Sequence, residues 1–291
     1  MSRTEHLIIK GDARNLSYLP DNSIHLVITS PPYWSLKRYE DCPNQLGHIQ
    51  DYEEFLDELD KVWRECYRLL VAGGRLVCVV GDVCLSRKAF GRHLVMPLHA
   101  DIVVRCRKIG FDNLNPIIWH KISNARFEVD NGSKFLGKPY EPNAIIKSDI
   151  EFILMQRKPG GYRKPTEAQR EASRISKACF DRWFAQFWRI TGASTRQHPA
   201  PFPEKLASRL VQMFSFVGDT VLDPFLGSGT TSLAALKAGR NSVGIDVETK
   251  YIRMASAKLE ASSQGLFNDS NLTVKLEPPK APVDFSSATR S

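Results

Sequence analysis

An open α/β sheet of largely parallel strands is the fold this sequence predicts. Three observations carry the prediction. The apolar run Ile24-His25-Leu26-Val27-Ile28 is short and β-branched, as a buried parallel strand is, and it ends in Thr29-Ser30-Pro31-Pro32-Tyr33-Trp34. Thr220-Val221-Leu222-Asp223 forms a second strand, followed by the turn Pro224-Phe225-Leu226-Gly227-Ser228-Gly229-Thr230 and a helix over 231–238. Further runs of strand length alternate with amphipathic helices over much of the chain.

In chain order, 6–10 reads as a strand closed by Gly11-Asp12. The strand at 24–28 follows, and two prolines end it by fixing φ and removing two N–H donors. Residues 35–50 are polar, with Pro43 and Gly47, and form a loop beside that turn that could cover it. The clearest helix spans 51–70. Asp51 can cap it with Glu54 three residues on, and Phe55, Leu59, Val62, Cys66 and Leu69 share one face. Gly73-Gly74 is expected to stop it. A buried strand over 75–82 and a helix over 96–110 come next. Two strands at 115–121 and 150–157 are expected to pair as an antiparallel hairpin.

Beyond them, Phe180, Phe184, Phe187 and Trp188 recur at helical spacing and read as a packing stripe. A helix over 204–216, the strand at 220–223, the glycine turn and its helix, a strand at 241–247 and a helix over 251–260 complete the regular part. From Ala261 the composition predicts a flexible tail, 261–291.

Composition narrows the function. With 291 residues and 42% hydrophobic, the chain can bury one large core or two modest ones. No apolar run reaches the ~20 residues of a membrane span, and the N-terminus has no signal-peptide core, so a cytoplasmic protein is expected. The six cysteines form no Cys-x-x-Cys and have no histidine cluster beside them, which argues against a metal. Net charge is +8, and 157–196 alone holds ten Lys/Arg against three acids, an excess of +7. Such a segment fits a polyanion such as DNA, although a charge run by itself also describes a solvated helix face.

The glycine turn stands directly after a strand and opens a helix, with Asp246 at the end of the next strand, where an acid can hold a ribose diol. Ser232 occupies the place of the third glycine of a dinucleotide fingerprint, and no Gly-Lys-Ser/Thr follows to make a P-loop. A nucleoside without phosphates suits such a turn, as in S-adenosylmethionine. The Ser-Pro-Pro-Tyr turn offers a hydroxyl, free carbonyls and a stacking ring, which suits a flat, amino-bearing substrate.

Together the two motifs resemble the DNA amino-methyltransferases, and their order resembles the β group of that family, of the N4-cytosine-specific type found in bacterial restriction-modification systems. The resemblance covers about residues 7–258. It implies a Rossmann-like, S-adenosylmethionine-dependent methyltransferase sheet of seven strands in circularly permuted motif order. Residues 1–121 and 197–260 would form the catalytic domain, and 122–196 a basic target-recognition insertion, with 150–157 in the main sheet. It implies catalysis by Ser30, Pro31, Pro32 and Tyr33 on a flipped-out base.

Cofactor contacts would come from Asp12 near the adenine, from Asp223, Pro224, Phe225, Gly227, Ser228, Gly229 and Thr230 in the turn, and from Asp246. His198, Pro199 and Phe202 match the stretch that embraces the methionine end. Lys37, Arg38, Arg163, Lys164, Arg170, Arg174 and Lys177 are the expected DNA contacts. Ser in first place of the tetrapeptide goes mostly with cytosine N4, and Asp or Asn with adenine N6. Double-stranded DNA is the expected partner of a monomer or homodimer, which it would hold at the nucleoid. A cognate restriction endonuclease could act separately. Cys42 precedes Pro43, whereas the carbon-5 enzymes use a Pro-Cys nucleophile. The rival readings are an adenine N6 enzyme, a methyltransferase of RNA or of a protein glutamine, and an inactive DNA-binding protein.

Overall fold

The computed structural model of the chain describes residues 3–34, 45–85, 87–121, 142, 146, 148–192, 202–263, 270–281 and 283. Its strands are β1 (Thr4–Lys10), β2 (Ile24–Thr29), β3 (Leu70–Val80), β4 (Val83–Leu85), β5 (Leu94–Met96), β6 (Asp112–His120), β7 (Ile150–Arg157), β8 (Phe187–Arg189), β9 (Thr220–Asp223), β10 (Asn241–Asp246) and β11 (Ser270–Lys275). Nine of them form one sheet in the order β11-β1-β10-β9-β2-β3-β7-β6-β8. The six strands from β11 to β3 are parallel, and β7 turns antiparallel against β3 and β6. The expected hairpin is therefore β6–β7, with an irregularity between Leu114 and Ile117, where Pro116 has no N–H to give.

Alternation along the parallel strands sorts side chains into two layers. Val27, Leu76, Cys78 and Leu222 face one core with α1 (Tyr52–Leu69). The small β4–β5 hairpin, with the short α2 (Arg87–Phe90) at its tip, leads to α3 (Leu98–Ile109) on the same core. After β7 come two short helices, α4 (Glu167–Ala172) and α5 (Lys177–Trp183). Leu26, Ile28, Val77, Val79 and Val221 face the other core with α6 (Glu204–Phe214) and α7 (Thr230–Lys237). A third cluster joins Ile8 and α7 to α8 (Thr249–Ser263). Asp51 caps α1 by accepting from the Glu54 N–H at 2.8 Å.

Three expectations need correction. Gly73-Gly74 does not stop α1: the helix ends at Leu69 and the glycines lie within β3. Gly73 has φ +77°, and a Cβ there would stand 2.5 Å from the Gly161 carbonyl oxygen, so glycine lets the chain after β7 close over β3. The aromatic stripe at 180–188 is not one helix. α5 ends before Phe187, and Trp188 is buried from β8 while Phe180, Phe184 and Phe187 are exposed.

The tail is not wholly outside the fold. α8 runs to Ser263, and β11 adds to the sheet beside β1 with Leu272 packed on the third cluster. Leu272, Thr273 and Val274 give that stretch a strand character that its polar surroundings mask. The sheet thus has the seven expected strands and an extra one at each edge. One of those extra strands, β8, comes from within the span read as a target-recognition insertion.

Candidate active site

Ser30 follows the last residue of β2, and Thr29↔Cys78 pairing sets it at the carboxyl edge beside β3. The glycine turn leaves β9, the neighbouring strand, at the same edge. Buried Asp223 joins the two. Its carboxylate accepts from Thr29 Oγ1 at 2.8 Å, from Thr231 Oγ1 at 2.7 Å and from the Phe225 N–H at 3.1 Å. Burial pushes its pKa up to about 6 against the pull of those donors. Asp223 therefore rivets the end of β2 to the glycine turn instead of facing a ligand.

A cavity opens at this edge. Ser30, Pro32, Asp12, Pro224, Phe225, Gly227 and Asp246 line it, as the motifs suggest. Gln45, Val62, Val247 and Tyr251 are also in its walls. Asp246 ends β10. Its Oδ2 accepts from the Gly227 N–H and its Oδ1 from the Glu248 N–H, both at 2.9 Å. Among the described residues no cation pairs with it. Burial raises its pKa to about 7, the two N–H donors oppose the rise, and the Glu248 charge adds to it. Such a carboxylate has lone pairs left for hydroxyl donors at the cavity wall. That chemistry fits a ribose diol, and the apolar walls of Phe225, Pro224 and Val247 fit a nucleoside base. Asp12 lines the cavity too, but Arg14 Nε donates to both its oxygens at 3.0 Å, so its carboxylate is already neutralised.

On the substrate side, Ser30 Oγ lies 3.5 Å from Tyr33 Oη and donates toward it. The Tyr33 hydroxyl in turn hydrogen-bonds Glu151, and burial followed by the Glu151 charge pushes the phenol well above its usual range. Glu151 is paired with Lys121. Both Glu151 and Tyr33 rest against Gly81, where a Cβ would meet Glu151 Cγ at 3.2 Å and Tyr33 Cε2 at 3.5 Å. Trp34, at φ +43°, is buried edge-on against Tyr52, with ring centroids 5.2 Å apart. The turn is thus anchored on its far side by aromatic packing, while Ser30 and Pro32 line the cavity.

Not every expected residue reaches this cavity. Ser228 and Thr230 do not line it. Their hydroxyls lie 3.3 Å from each other, and Ser228 Oγ also accepts from Lys258 Nζ at 3.3 Å. Gly229, at φ +75°, serves packing: a Cβ there would stand 2.7 Å from Ala255 Cβ, so glycine lets α7 and α8 approach. Phe202 packs into the α6 core on the other side of the sheet. His198, Pro199, Lys37 and Arg38 lie outside the described residues.

The expected DNA contacts of the basic segment stand apart from the cavity. Arg163 is paired with buried Asp219 and lies over the Phe216 ring. Gln169 of α4 donates to the Val217 carbonyl, and Ser173 Oγ accepts from the Val217 N–H. Residues 217–219 precede β9, so the segment carrying Arg163, Lys164, Arg170 and Arg174 sits at the amino edge, opposite the cavity. Arg174 pairs with Glu171 and Lys177 with Asp181. The excess of charge is real, but its position is not that of the cavity.

Sequence reasoning missed Glu151, Lys121, Gln45, Val62 and Tyr251 as site residues. Glu151 alone had a signal, as the one acid in the apolar run 150–155. Gln45 Nε2 donates to Glu248 Oε1, which ties Gln45 to the residues following Asp246.

The comparisons with known proteins give the family of the chain. The DNA methylase family (N6_N4_Mtase) matches residues 24–257, and the chain belongs to that family. Type II methyltransferase M.MjaI of Methanocaldococcus jannaschii is 37% identical, over 92% of this chain and 96% of its own. DNA adenine methyltransferase YhdJ of Escherichia coli is 29% identical, over 88% and 83%. Among solved structures, TTHA0409 of Thermus thermophilus, complexed with S-adenosyl-L-methionine, superposes with a TM-score of 0.74 at 56% identity, covering 92% of this chain and 99% of that one. PvuII DNA methyltransferase (cytosine-N4-specific) shares the fold, with a TM-score of 0.65 at 20% identity over 88% and 87%.

Proposed function

We propose that this DNA methyltransferase moves a methyl group from S-adenosylmethionine to the N4 amine of a cytosine turned out of duplex DNA. The observation that carries the reading is that Ser30 and Asp246 line one cavity, an acceptor for an amine and an acceptor for a ribose diol. The cofactor, when bound, supplies an electrophilic methyl group on a sulfonium. Asp246 would hold the ribose hydroxyls, and Phe225, Pro224 and Val247 would wall the adenine. The complex of the Thermus thermophilus relative with S-adenosyl-L-methionine supports this cofactor.

An exocyclic amine is a poor nucleophile, because its lone pair is shared with the ring. Ser30 Oγ and the Pro31 carbonyl would accept its two hydrogens and favour a pyramidal nitrogen. Tyr33 would stack on the base, kept neutral by burial and held by Glu151. Catalysis is then positioning plus preorganised dipoles, with no covalent adduct between enzyme and base.

Cytosine rests on Ser30 in first place of the tetrapeptide. Adenine N6 is the second reading, favoured by the adenine-specific relative from Escherichia coli. The relatives named as Type II methyltransferases support a place in a restriction-modification pair. Ser30→Ala tests the site: methyl transfer should fall on the order of 10²-fold or more, with cofactor affinity unchanged. An undiminished rate would remove Ser30 from the chemistry.

A further inference from the structure

The β4–β5 hairpin leaves the sheet just after Gly81, which adjoins Tyr33, so it rises from the working edge. Its base is fixed. Asp82 Oδ1 lies 2.6 Å from His99 Nδ1, which closes the two ends of the excursion on each other. The His99 ring stacks on Phe152, with centroids 3.7 Å apart. Val83 and Leu85 are buried in the α1 core. The tip has the opposite character. Arg87, Lys88, Phe90, Arg92 and His93 are all exposed, and no acidic residue lies between Asp82 and Asp101. Among the described residues, none of these cations is paired.

We propose that this tip is a duplex-DNA contact, with Arg87, Lys88 and Arg92 on backbone phosphates beside the extruded base and Phe90 against sugar or base. The inference rests on the methyltransferase reading. A fixed base with unpaired cations and an exposed ring at its end matches a polyanion with apolar base edges. At the amino edge, by contrast, Arg163, Arg174 and Lys177 are each held by an acid, Asp219, Glu171 and Asp181. Phosphate contacts release counterions, whereas an apolar contact does not. The two kinds of residue should therefore separate in the salt dependence of binding.

The test is anisotropy of labelled duplex DNA on the full chain over a salt series. Replacing Arg87, Lys88 and Arg92 together with Ala should reduce the log–log slope by about 0.9 for each phosphate no longer neutralised, so by roughly two to three. Phe90→Ala should weaken binding with the slope unchanged. Arg170→Ala with Arg174→Ala and Lys177→Ala should alter neither. Cofactor affinity reports folding, and if the triple variant loses it, Lys88→Gln with Arg92→Gln decides by a slope change of about two. A parental slope in the folded hairpin variant overturns this inference alone. A parent that binds no duplex DNA overturns the methyltransferase reading and this inference with it.

Discussion

The two edges of the main sheet hold similar kinds of side chain and differ in what those side chains are bonded to. At the amino edge, polar groups satisfy one another. His25 Nδ1 accepts from the Thr220 N–H at 3.0 Å, and Asn241 donates to the Gly218 carbonyl at 2.9 Å. Lys158 donates to the Leu70 carbonyl at 2.7 Å, and Arg163 is paired with Asp219. At the carboxyl edge, Asp246 has only backbone donors among the described residues, and Ser30 lines a cavity. A closed set of partners makes scaffold, and an open one leaves capacity for a ligand. The difference explains why the richest run of basic residues is not at the site.

Stability should separate the two edges most. Asp219→Ala should destabilise the fold by about 3 kcal/mol, since it leaves Arg163 without its carboxylate, and chemical denaturation would read the loss. A change within error would mean that the amino edge is not held by that pair. At the carboxyl edge, Asp246→Asn should weaken cofactor binding by about 1.5–3 kcal/mol with little effect on DNA binding, as calorimetry would show. Equal cofactor affinity for the variant and the parent would remove Asp246 from the site.

pH sharpens the contrast. Asp246, raised to about 7, stays protonated in the folded protein over a range where the unfolded chain has lost that proton. Its contribution to stability is therefore present at low pH and lost as pH rises toward about 7. Hydroxyl donors prefer the ionised form, so cofactor affinity should rise through the same window. Asp246→Asn should flatten the affinity trend, and it should flatten the stability trend except for the part due to Asp223. The smallest effect belongs to the amino-edge cations. Arg170, Arg174 and Lys177 changed together to Ala should leave the denaturation midpoint within error of the parent, because the pairs of Arg174 with Glu171 and of Lys177 with Asp181 are exposed to water.

Much of this is legible in the chain. Periodicity locates the strand that leads to Ser30, a short apolar run ended by two prolines, and the strand that leads to Asp246 is placed by its position after the glycine turn and its helix. The hairpin β6–β7 is visible as two further runs of strand length. Three features are not. Asp223 reads as a ligand from its place in the motif, and only the fold brings Thr29 and Thr231 to its oxygens. The basic segment reads as a DNA surface from its charge, and only the sheet topology places it at the far edge. Strand β11 is too polar to announce itself, since its register depends on pairing with β1.

The central claim is that the methyl group goes directly to an exocyclic amine. Mass spectrometry of nucleosides from duplex DNA methylated by the purified protein tests it most directly. Direct transfer at Ser30 predicts N4-methylcytosine, and N6-methyladenine would change the base while keeping the chemistry. A 5-methylcytosine product would contradict it.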